Sequence, residues 1–512
     1  MNTDKKGVQL LAEICRQKGI TKVVFSPGSR SAPLVIAFNQ IKEIECLVIP
    51  DERCAGYFAL GLAQHLQKTV ALVCTSGTAV LNLSPAVCEA YYQQIPLLIL
   101  TADRPPGAEK NRENQAIIQD NIFGFFASSV SINGDAQTDR ELKQISKETL
   151  SVFNNISSAS PIPGHINVHL NEPLYNTISK PLKYSAVSPA VRENYCLKSS
   201  DKKKIIETLN RFSKKMVIVG LQHPNHQLNQ QLEKLSRRND YVIVHENVSN
   251  VDIKNGIKNI DACIALTSDN ATVLPDVVIS IGKQIVSKKI KQFLKDKPQV
   301  HWDIPQKHAT GETRAFLGGC YKPIAPVNEQ EFIELLLSVG EKKDSNYNTI
   351  WQDLSKKATQ ATKGFLKNTA FTDFKVYDII CKSFPAKANI QIGNSSPIRY
   401  LNLVDFPTKL TYNANRGTSG IDGCISTAAG AAYGNKKPTV CVIGDISFLY
   451  DSNALWNNYL SPNLRIIVIN NSGGNIFRLI DGPNRIKNFE TFFETQHALT
   501  AKHLASMYSL PY

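Results

Sequence analysis

Two stretches near the C-terminus, VCVIGDISFLY (440–450) and RIIVINNSGGNIF (465–477), decide how this chain folds. Val440–Ile443 and Ile466–Ile469 are short, continuously apolar runs, the pattern of strands buried on both faces of a parallel sheet. They flank Asn453–Tyr459, which is expected to be helical. Each run ends in polar, flexible residues: Gly444-Asp445 after the first, Asn470-Asn471-Ser472-Gly473-Gly474 after the second. Open α/β sheets bind ligands at the carboxyl ends of their strands. If the two strands are adjacent, Asp445 and Asn471 offer a carboxylate and an amide oxygen to one hard cation, with a backbone carbonyl near Gly473 as a third donor. Mg²⁺ takes such oxygen ligands and keeps places for phosphate oxygens and water. The glycines let backbone approach a diphosphate, and the helix after Asp445 aims its N-terminus at that charge. Taken singly, a strand-end Asp that caps a helix and an Asn-rich turn are ordinary structural devices.

The same alternation runs back to the N-terminus. An amphipathic stretch, Val8–Cys15, precedes the apolar run Val23–Phe25. The turn Ser26–Arg30 follows, and then Leu34–Phe38 and Cys46–Ile49. Ala55, Phe58, Ala59 and Leu62 recur at helical spacing inside an expected helix Glu52–Leu66. Val70–Cys74, a helix from Thr78 to Tyr92, and Leu97–Leu100 continue the pattern. A Pro-bearing, aperiodic segment at 172–200 reads as a linker. Beyond it, strands are expected at Met216–Val219, Tyr241–Val244, Ala262–Leu266 and Val277–Ile281, with helices at Ile205–Phe212 and Leu228–Leu235. The polar stretch Glu341–Asn348 leads into a third block from about Phe371. The expected architecture is α/β, with three consecutive parallel-sheet α/β domains at 1–180, 200–340 and 371–512.

Composition agrees: 512 residues, 42% hydrophobic and 20% charged, give room for about three domains at roughly 150 residues each. A formal net charge of +14 raises the question of nucleic acid. Yet Lys202-Lys203-Lys204 and the lysines from Lys283 to Lys297 are the densest basic stretches, and no like-charge block is long enough for a basic tail. Arginines focused in a cleft for polyanionic small molecules fit the charge equally well. The N-terminus MNTDKKGVQL lacks the apolar core of a secretory signal, and no window has 18 consecutive apolar residues, so no membrane span is expected. The 11 cysteines stand singly, without a C-x-x-C pair, and read as small core residues of a protein in the reducing cytoplasm.

Together the motifs resemble one family closely. SPGSRSAPL (26–34), DERCAGYFALGLA (51–63), CTSGTA (74–79), TADRPP (101–106), ENQAI (113–117), GNSSPIR (393–399), NRGTSGIDGCISTAAG (415–430), GDISFLYDSNAL (444–455) and NNSGGNIF (470–477) are similar to the 2-succinyl-5-enolpyruvyl-6-hydroxy-3-cyclohexene-1-carboxylate synthases of menaquinone biosynthesis, members of the thiamine-diphosphate enzymes. The resemblance is dense in the first and third blocks and thin in the middle one. It implies the thiamine-diphosphate enzyme fold and thiamine diphosphate with Mg²⁺ (or Mn²⁺) as cofactors. It also implies a transferase that decarboxylates 2-oxoglutarate and adds the resulting succinyl carbanion, in a 1,4 sense, to isochorismate.

The resemblance also assigns residues. Glu52, by itself a first-turn acid favoured by the helix dipole, would hydrogen-bond the aminopyrimidine and promote its imino form. Asp445, Asn471 and the carbonyl of Gly473 would hold the metal, while Gly393, Ser395, Ile421, Gly444 and Ser447 would contact the cofactor. Ile421 is the apolar prop for its bent form. Arg399 and Arg416 would hold the 2-oxoglutarate part, and Ser29, Arg30, Arg104 and Lys288 the isochorismate part. Gln115, beside Asn114, would hydrogen-bond covalent intermediates, and Ile476, Phe477 and Leu479 would form an apolar wall. A homodimer or dimer of dimers with active sites shared between chains is implied, with no nucleic-acid partner. Lys289 stands where many members carry Arg, and Ile446 where the wider superfamily has a second glycine. Family members are expected to continue some tens of residues past the position of Tyr512, adding a strand and helices to the third block. Two alternatives stay open on the sequence: another thiamine-diphosphate 2-oxoacid decarboxylase or carboligase, and a noncatalytic basic protein that binds nucleic acid.

Overall fold

Apolar runs of four to seven residues become strands and the amphipathic stretches between them become helices, so the chain is α/β throughout. The computed structural model describes residues 1–111, 113–158, 160–179, 184, 197–267, 270–295, 297–304, 327–479 and 482–512. In chain order the first part contains β1 (Asn2–Thr3), α1 (Lys6–Gln17), β2 (Lys22–Phe25), α2 (Ala32–Asn39), β3 (Glu45–Val48), α3 (Glu52–Leu66) and β4 (Val70–Cys74). Then come α4 (Thr78–Asn82), α5 (Ser84–Gln93), β5 (Leu97–Asp103), β6 (Ser128–Asn133), α6 (Asp139–Ile156), β7 (Gly164–His169) and β8 (Thr177–Ile178). The middle of the chain holds α7 (Ser199–Arg211), β9 (Lys215–Val219), α8 (His226–Leu235), β10 (Tyr241–His245), α9 (Ile260–Ala265), α10 (Asn270–Val273), β11 (Val277–Ile281), α11 (Lys288–Leu294) and β12 (Val300–Asp303). It continues with α12 (Glu329–Ser338), α13 (Tyr347–Asn368), α14 (Asp373–Ser383), β13 (Asn389–Ile392), α15 (Ser396–Leu403) and β14 (Thr411–Ala414). The last part is α16 (Cys424–Tyr433), β15 (Thr439–Gly444), α17 (Asp445–Tyr450), β16 (Leu464–Ile469) and α18 (Ala501–Met507).

These elements form two compact units, Met1–Glu193 with Asn415–Tyr512, and Asn194–Ala414. In the first unit, six parallel strands run in the order β3-β2-β4-β5-β7-β6. β4 and β5 are buried along their whole length, as a doubly covered parallel sheet requires. β15 and β16 pair in parallel from Thr439↔Leu464 to Gly444↔Ile469, so the adjacency that the cation argument needed is present. α3 and α16 pack backbone to backbone. A Cβ on Gly61 would fall 2.0 Å from the Thr427 carbonyl oxygen, and one on Gly430 2.0 Å from that of Phe58, so neither position admits even a methyl group. In the second unit, four parallel strands run β10-β9-β11-β12, and β13 pairs in parallel with β14.

Helix starts follow local chemistry. Asp51 caps α3 by accepting from the Cys54 N–H, and Thr138 with Glu141 forms a capping box at α6. Three expectations fail. Ala262–Leu266 is not a strand: the segment folds as α9, because a five-residue apolar run suits a buried helix turn as well as a strand. The helix expected over Thr78–Tyr92 is broken at Leu83, where Pro85 sits in the first turn of α5 and lacks the N–H that a continuous helix needs. Asn453–Tyr459 is not a helix either. The helix begins at Asp445 directly after the strand, and only a 3₁₀ turn, Ser452–Leu455, follows. Most of the expected linker, 180–183 and 185–196, lies outside the described residues, as do Cys196 and Cys320. The nine described cysteines are all free; seven are buried, and Cys46 and Cys88 are half-buried.

Candidate active site

The register of β15 and β16 brings their polar ends together. Asp445 is 4% exposed. Its Oδ1 accepts from the Ile446 N–H at 2.8 Å and its Oδ2 from the Gly473 N–H at 3.0 Å. Gly473 has φ +154°, and a Cβ there would lie 2.8 Å from the Glu494 carbonyl oxygen, so this approach requires glycine. Asn475 donates to the Asn471 carbonyl at 2.9 Å and tightens the same loop. Ser447, one turn into α17, donates to the Ile421 carbonyl at 2.8 Å. Gly444, Asp445, Ser447, Ile421, Asn471 and Gly473 thus meet at one end of the first unit. No group of three His, Cys, Asp or Glu able to hold a metal exists among the described residues. The donor set here, a buried carboxylate, a carboxamide and carbonyls of a loop whose Gly473 admits no Cβ, fits a hard cation carrying a diphosphate.

A later segment straps this loop down, and sequence reasoning missed it. The Gly474 N–H donates to the Glu494 carbonyl at 2.6 Å, the His497 N–H to the Ser472 carbonyl at 3.1 Å, and Asn470 to the Leu499 carbonyl at 2.9 Å. Arg478 donates from Nε to the Glu494 carboxylate at 2.7 Å and holds that carboxyl below the usual range. Ile476 and Phe477 lie half-buried in the 3₁₀ turn Asn475–Leu479; Phe477 meets Phe493 edge-on at 5.8 Å, while Leu479 is exposed.

Glu52 opens α3, half-buried, with Asn82 Nδ2 3.4 Å from its carboxylate. Its chain neighbours are fastened to the end of α17 and the turn that follows it. Asn453 donates to Asp51 at 2.8 Å, and Arg53 donates to the Tyr450 carbonyl at 3.0 Å. Asp451, with no exposed side-chain surface, accepts from the Ser426 N–H at 2.7 Å and from its hydroxyl at 2.8 Å. Burial pushes Asp451 up to about 7. One carboxylate therefore caps the start of α16 from another element.

The loop after β5 carries the second group of candidates. Arg104 donates to Ser76 Oγ at 2.8 Å and to the Gln115 carbonyl at 3.3 Å, and its Nε lies 3.2 Å from the Glu113 carboxylate. Gln115, at φ +57°, and Asn114 are exposed. Gln119 clamps the loop by accepting from the Gly77 N–H at 2.9 Å. Beneath it runs a buried polar network. Thr101 donates to Asn167 at 2.7 Å and meets His165 at 2.8 Å, Gln119 donates to Asn167 at 2.9 Å, and Asn167 donates to Asp103 at 2.8 Å. Burial raises the Asp103 carboxyl and pushes the His165 imidazole down to about 4. Arg30 donates to the Leu170 carbonyl at 3.1 Å and lies 3.0 Å from the Glu172 carboxylate; Ser29 is exposed in the turn before it.

Arg416 is buried in a turn held by a residue without any local motif. Glu89, fully buried in α5, accepts from the Gly417 N–H at 2.7 Å and from the Thr418 N–H and hydroxyl at 2.6 Å each. In the second unit, Gly393 and Ser395 follow β13, with Ser395 at φ +72°. Arg399, one turn into α15, donates to the Ser395 carbonyl at 2.6 Å, and burial lowers its pKa. Lys288 is exposed at the first position of α11.

Comparison with known proteins agrees with this geometry. Residues 5–123 match the thiamine pyrophosphate enzyme N-terminal TPP binding domain. Curated 2-succinyl-5-enolpyruvyl-6-hydroxy-3-cyclohexene-1-carboxylate synthases align along nearly the whole chain. The protein of Flavobacterium psychrophilum is 41% identical over 98% of this chain and 90% of its own length. That of Flavobacterium johnsoniae is 40% identical over the same shares, and that of Porphyromonas gingivalis 34% identical over 100% and 90%. The chain belongs to the family of 2-succinyl-5-enolpyruvyl-6-hydroxy-3-cyclohexene-1-carboxylate synthases and is a thiamine-diphosphate-dependent enzyme.

Proposed function

We propose that the protein decarboxylates 2-oxoglutarate and joins the four-carbon fragment to isochorismate, giving 2-succinyl-5-enolpyruvyl-6-hydroxy-3-cyclohexene-1-carboxylate and CO₂ in menaquinone biosynthesis. Bound thiamine diphosphate supplies the electron sink for the decarboxylation. The observation that carries the proposal is the contact of Asp445 with the Gly473 loop, in a chain of this family. Asp445, Asn471 and the Gly473 carbonyl would hold Mg²⁺ or Mn²⁺, and Gly444, Ser447, Ile421, Gly393 and Ser395 would line the cofactor. Glu52 would exchange a proton with the aminopyrimidine.

Carboxylate recognition falls to the arginines. Arg30 and Arg104 each lie beside an exposed glutamate, Glu172 and Glu113, 65% and 48% exposed. A guanidinium that holds an exposed carboxylate is ready to hold a substrate carboxylate instead. With Ser29, Asn114, Gln115 and Lys288 they would receive isochorismate. Arg416, in its Glu89-braced turn, and Arg399, partly desolvated, would orient 2-oxoglutarate, with Ile476 and Phe477 as the apolar wall. The three domains, 1–180, 200–340 and 371–512, belong to the same proposal. So does a cytoplasmic setting, which the unpaired cysteines favour; no described helix is long and apolar enough to cross a membrane.

The decisive assay measures CO₂ release and product formation from 2-oxoglutarate with and without isochorismate. Dependence of the product on both substrates is expected; pyruvate as the better donor would overturn the proposal. The homodimer with shared sites has its own test. Mixing inactive Glu52→Gln and Asp445→Asn proteins should restore about a quarter of the activity, because half of randomly mixed dimers would carry one intact site. No restoration would place both residues in one chain's site.

A further inference from the structure

We propose that His497, which lies outside every motif of the family resemblance, positions the metal-ligating carboxylate of Asp445 by donating a hydrogen bond from Nε2. The proposal rests on Asp445 being a metal ligand. Its first support is the tautomer. His497 Nδ1 accepts from the Leu499 N–H at 3.1 Å, so the ring hydrogen sits on Nε2. Its second is proximity. Nε2 lies 3.3 Å from Asp445 Oδ2, with the two side chains only 12% and 6% exposed. Among the described residues this buried Nε2 makes no aligned hydrogen bond, so a small turn of the carboxylate toward it satisfies a donor that is costly to leave unmade.

The third support is anchorage. The His497 N–H is bonded to the Ser472 carbonyl, inside the loop that carries Asn471 and Gly473. The histidine is thereby tied to both halves of the donor set, the carboxylate through its ring and the loop through its backbone. A carboxylate offers about four lone-pair directions. The Ile446 and Gly473 N–H groups take two of them and His497 faces a third, leaving one for a cation. A ligand fixed in this way presents its free lone pair without first having to be oriented. Removing such supporting donors typically costs about 10–100-fold in metal affinity.

The test is Mn²⁺ affinity of the full-length protein with thiamine diphosphate, read by electron paramagnetic resonance. His497→Ala should weaken Mn²⁺ binding by about 10–100-fold, and His497→Gln, which keeps an N–H donor, should recover much of the loss. The melting temperatures of both variants without metal should match that of the wild type. Wild-type affinity in His497→Ala would overturn the proposal. So would ¹⁴N coupling to Mn²⁺ in the wild type that is lost in His497→Ala, since the ring would then be a direct ligand. Absence of Mn²⁺ binding by the wild type would instead refute the metal site at Asp445 itself, and this proposal with it.

Discussion

Two loops of the first unit do similar work on different foundations. The Arg104 loop leaves β5, all seven of whose residues are buried, and stands on the network of Thr101, His165, Asn167, Asp103 and Gln119. The Asn471–Phe477 loop leaves β16, of whose six residues only Ile469 is buried, and is held by backbone bonds to Glu494 and His497 further along the chain, with the Asn470 side chain just before it bonded to the Leu499 carbonyl. The first is preorganised by the interior of its own sheet, so perturbing it should register as global stability. The second depends on a strap that lies outside the sheet, so perturbing it should register as ligand affinity while the core stays intact.

The sharpest way to break this contrast is Asn167→Leu, which leaves Asp103 and Gln119 short of buried partners. A loss of about 2–4 kcal/mol in urea unfolding is expected; a loss below about 1 kcal/mol would show that the network is not a foundation. Gly473→Ala, which requires an L-residue at φ +154° and presses on the Glu494 carbonyl, should cost the loop about 1–3 kcal/mol. Thiamine-diphosphate affinity with Mg²⁺, measured by fluorescence quenching, should fall about tenfold or more, with the urea midpoint nearly unmoved.

Acid provides a third handle. Burial holds His165 down at about 4, against about 6.5 when unfolded. Between these values the unfolded chain carries a proton that the folded one lacks. Stability present above pH 6.5 should therefore drain as pH falls toward 4, at about 1.4 kcal/mol per pH unit. Asp103, whose carboxyl is raised by burial, opposes this at the acid end. A His165→Gln variant should flatten the slope in a pH series of denaturation curves. The smallest effect belongs to Glu494→Gln. Its partner Arg478 is 47% exposed, so cofactor affinity should fall less than about fivefold; a larger fall would make the strap as essential as the sheet.

Much of this was legible from residues alone, for local reasons. β4, α3 and the β15–β16 pair show themselves because an apolar run or a helical stripe is written in consecutive residues, and the strand-end Asp445 and Asn471 come with them. What escaped is what partners at a distance decide. Glu89 reads as one more helix residue; only folding brings it to Gly417, 328 positions away. Asp451 and His497 are silent for the same reason, and α9 was misread because five apolar residues do not specify a period. The candidate metal and cofactor residues lie in motifs, while Glu89 and His497 lie outside them.

The buried cysteines have a practical consequence. Cys15, Cys54, Cys74, Cys424 and Cys441 lie in the first unit, and Cys263 and Cys381 in the second. All seven are walled off, and burial raises the pKa of Cys15, Cys54, Cys74, Cys263, Cys381 and Cys441, which keeps those thiols protonated. Alkylating reagents reach such a thiol only when its surroundings open. The native chain thus carries a built-in set of chemical clocks in both units. The order in which mass spectrometry finds them alkylated would read out which unit opens first, without any label having been introduced.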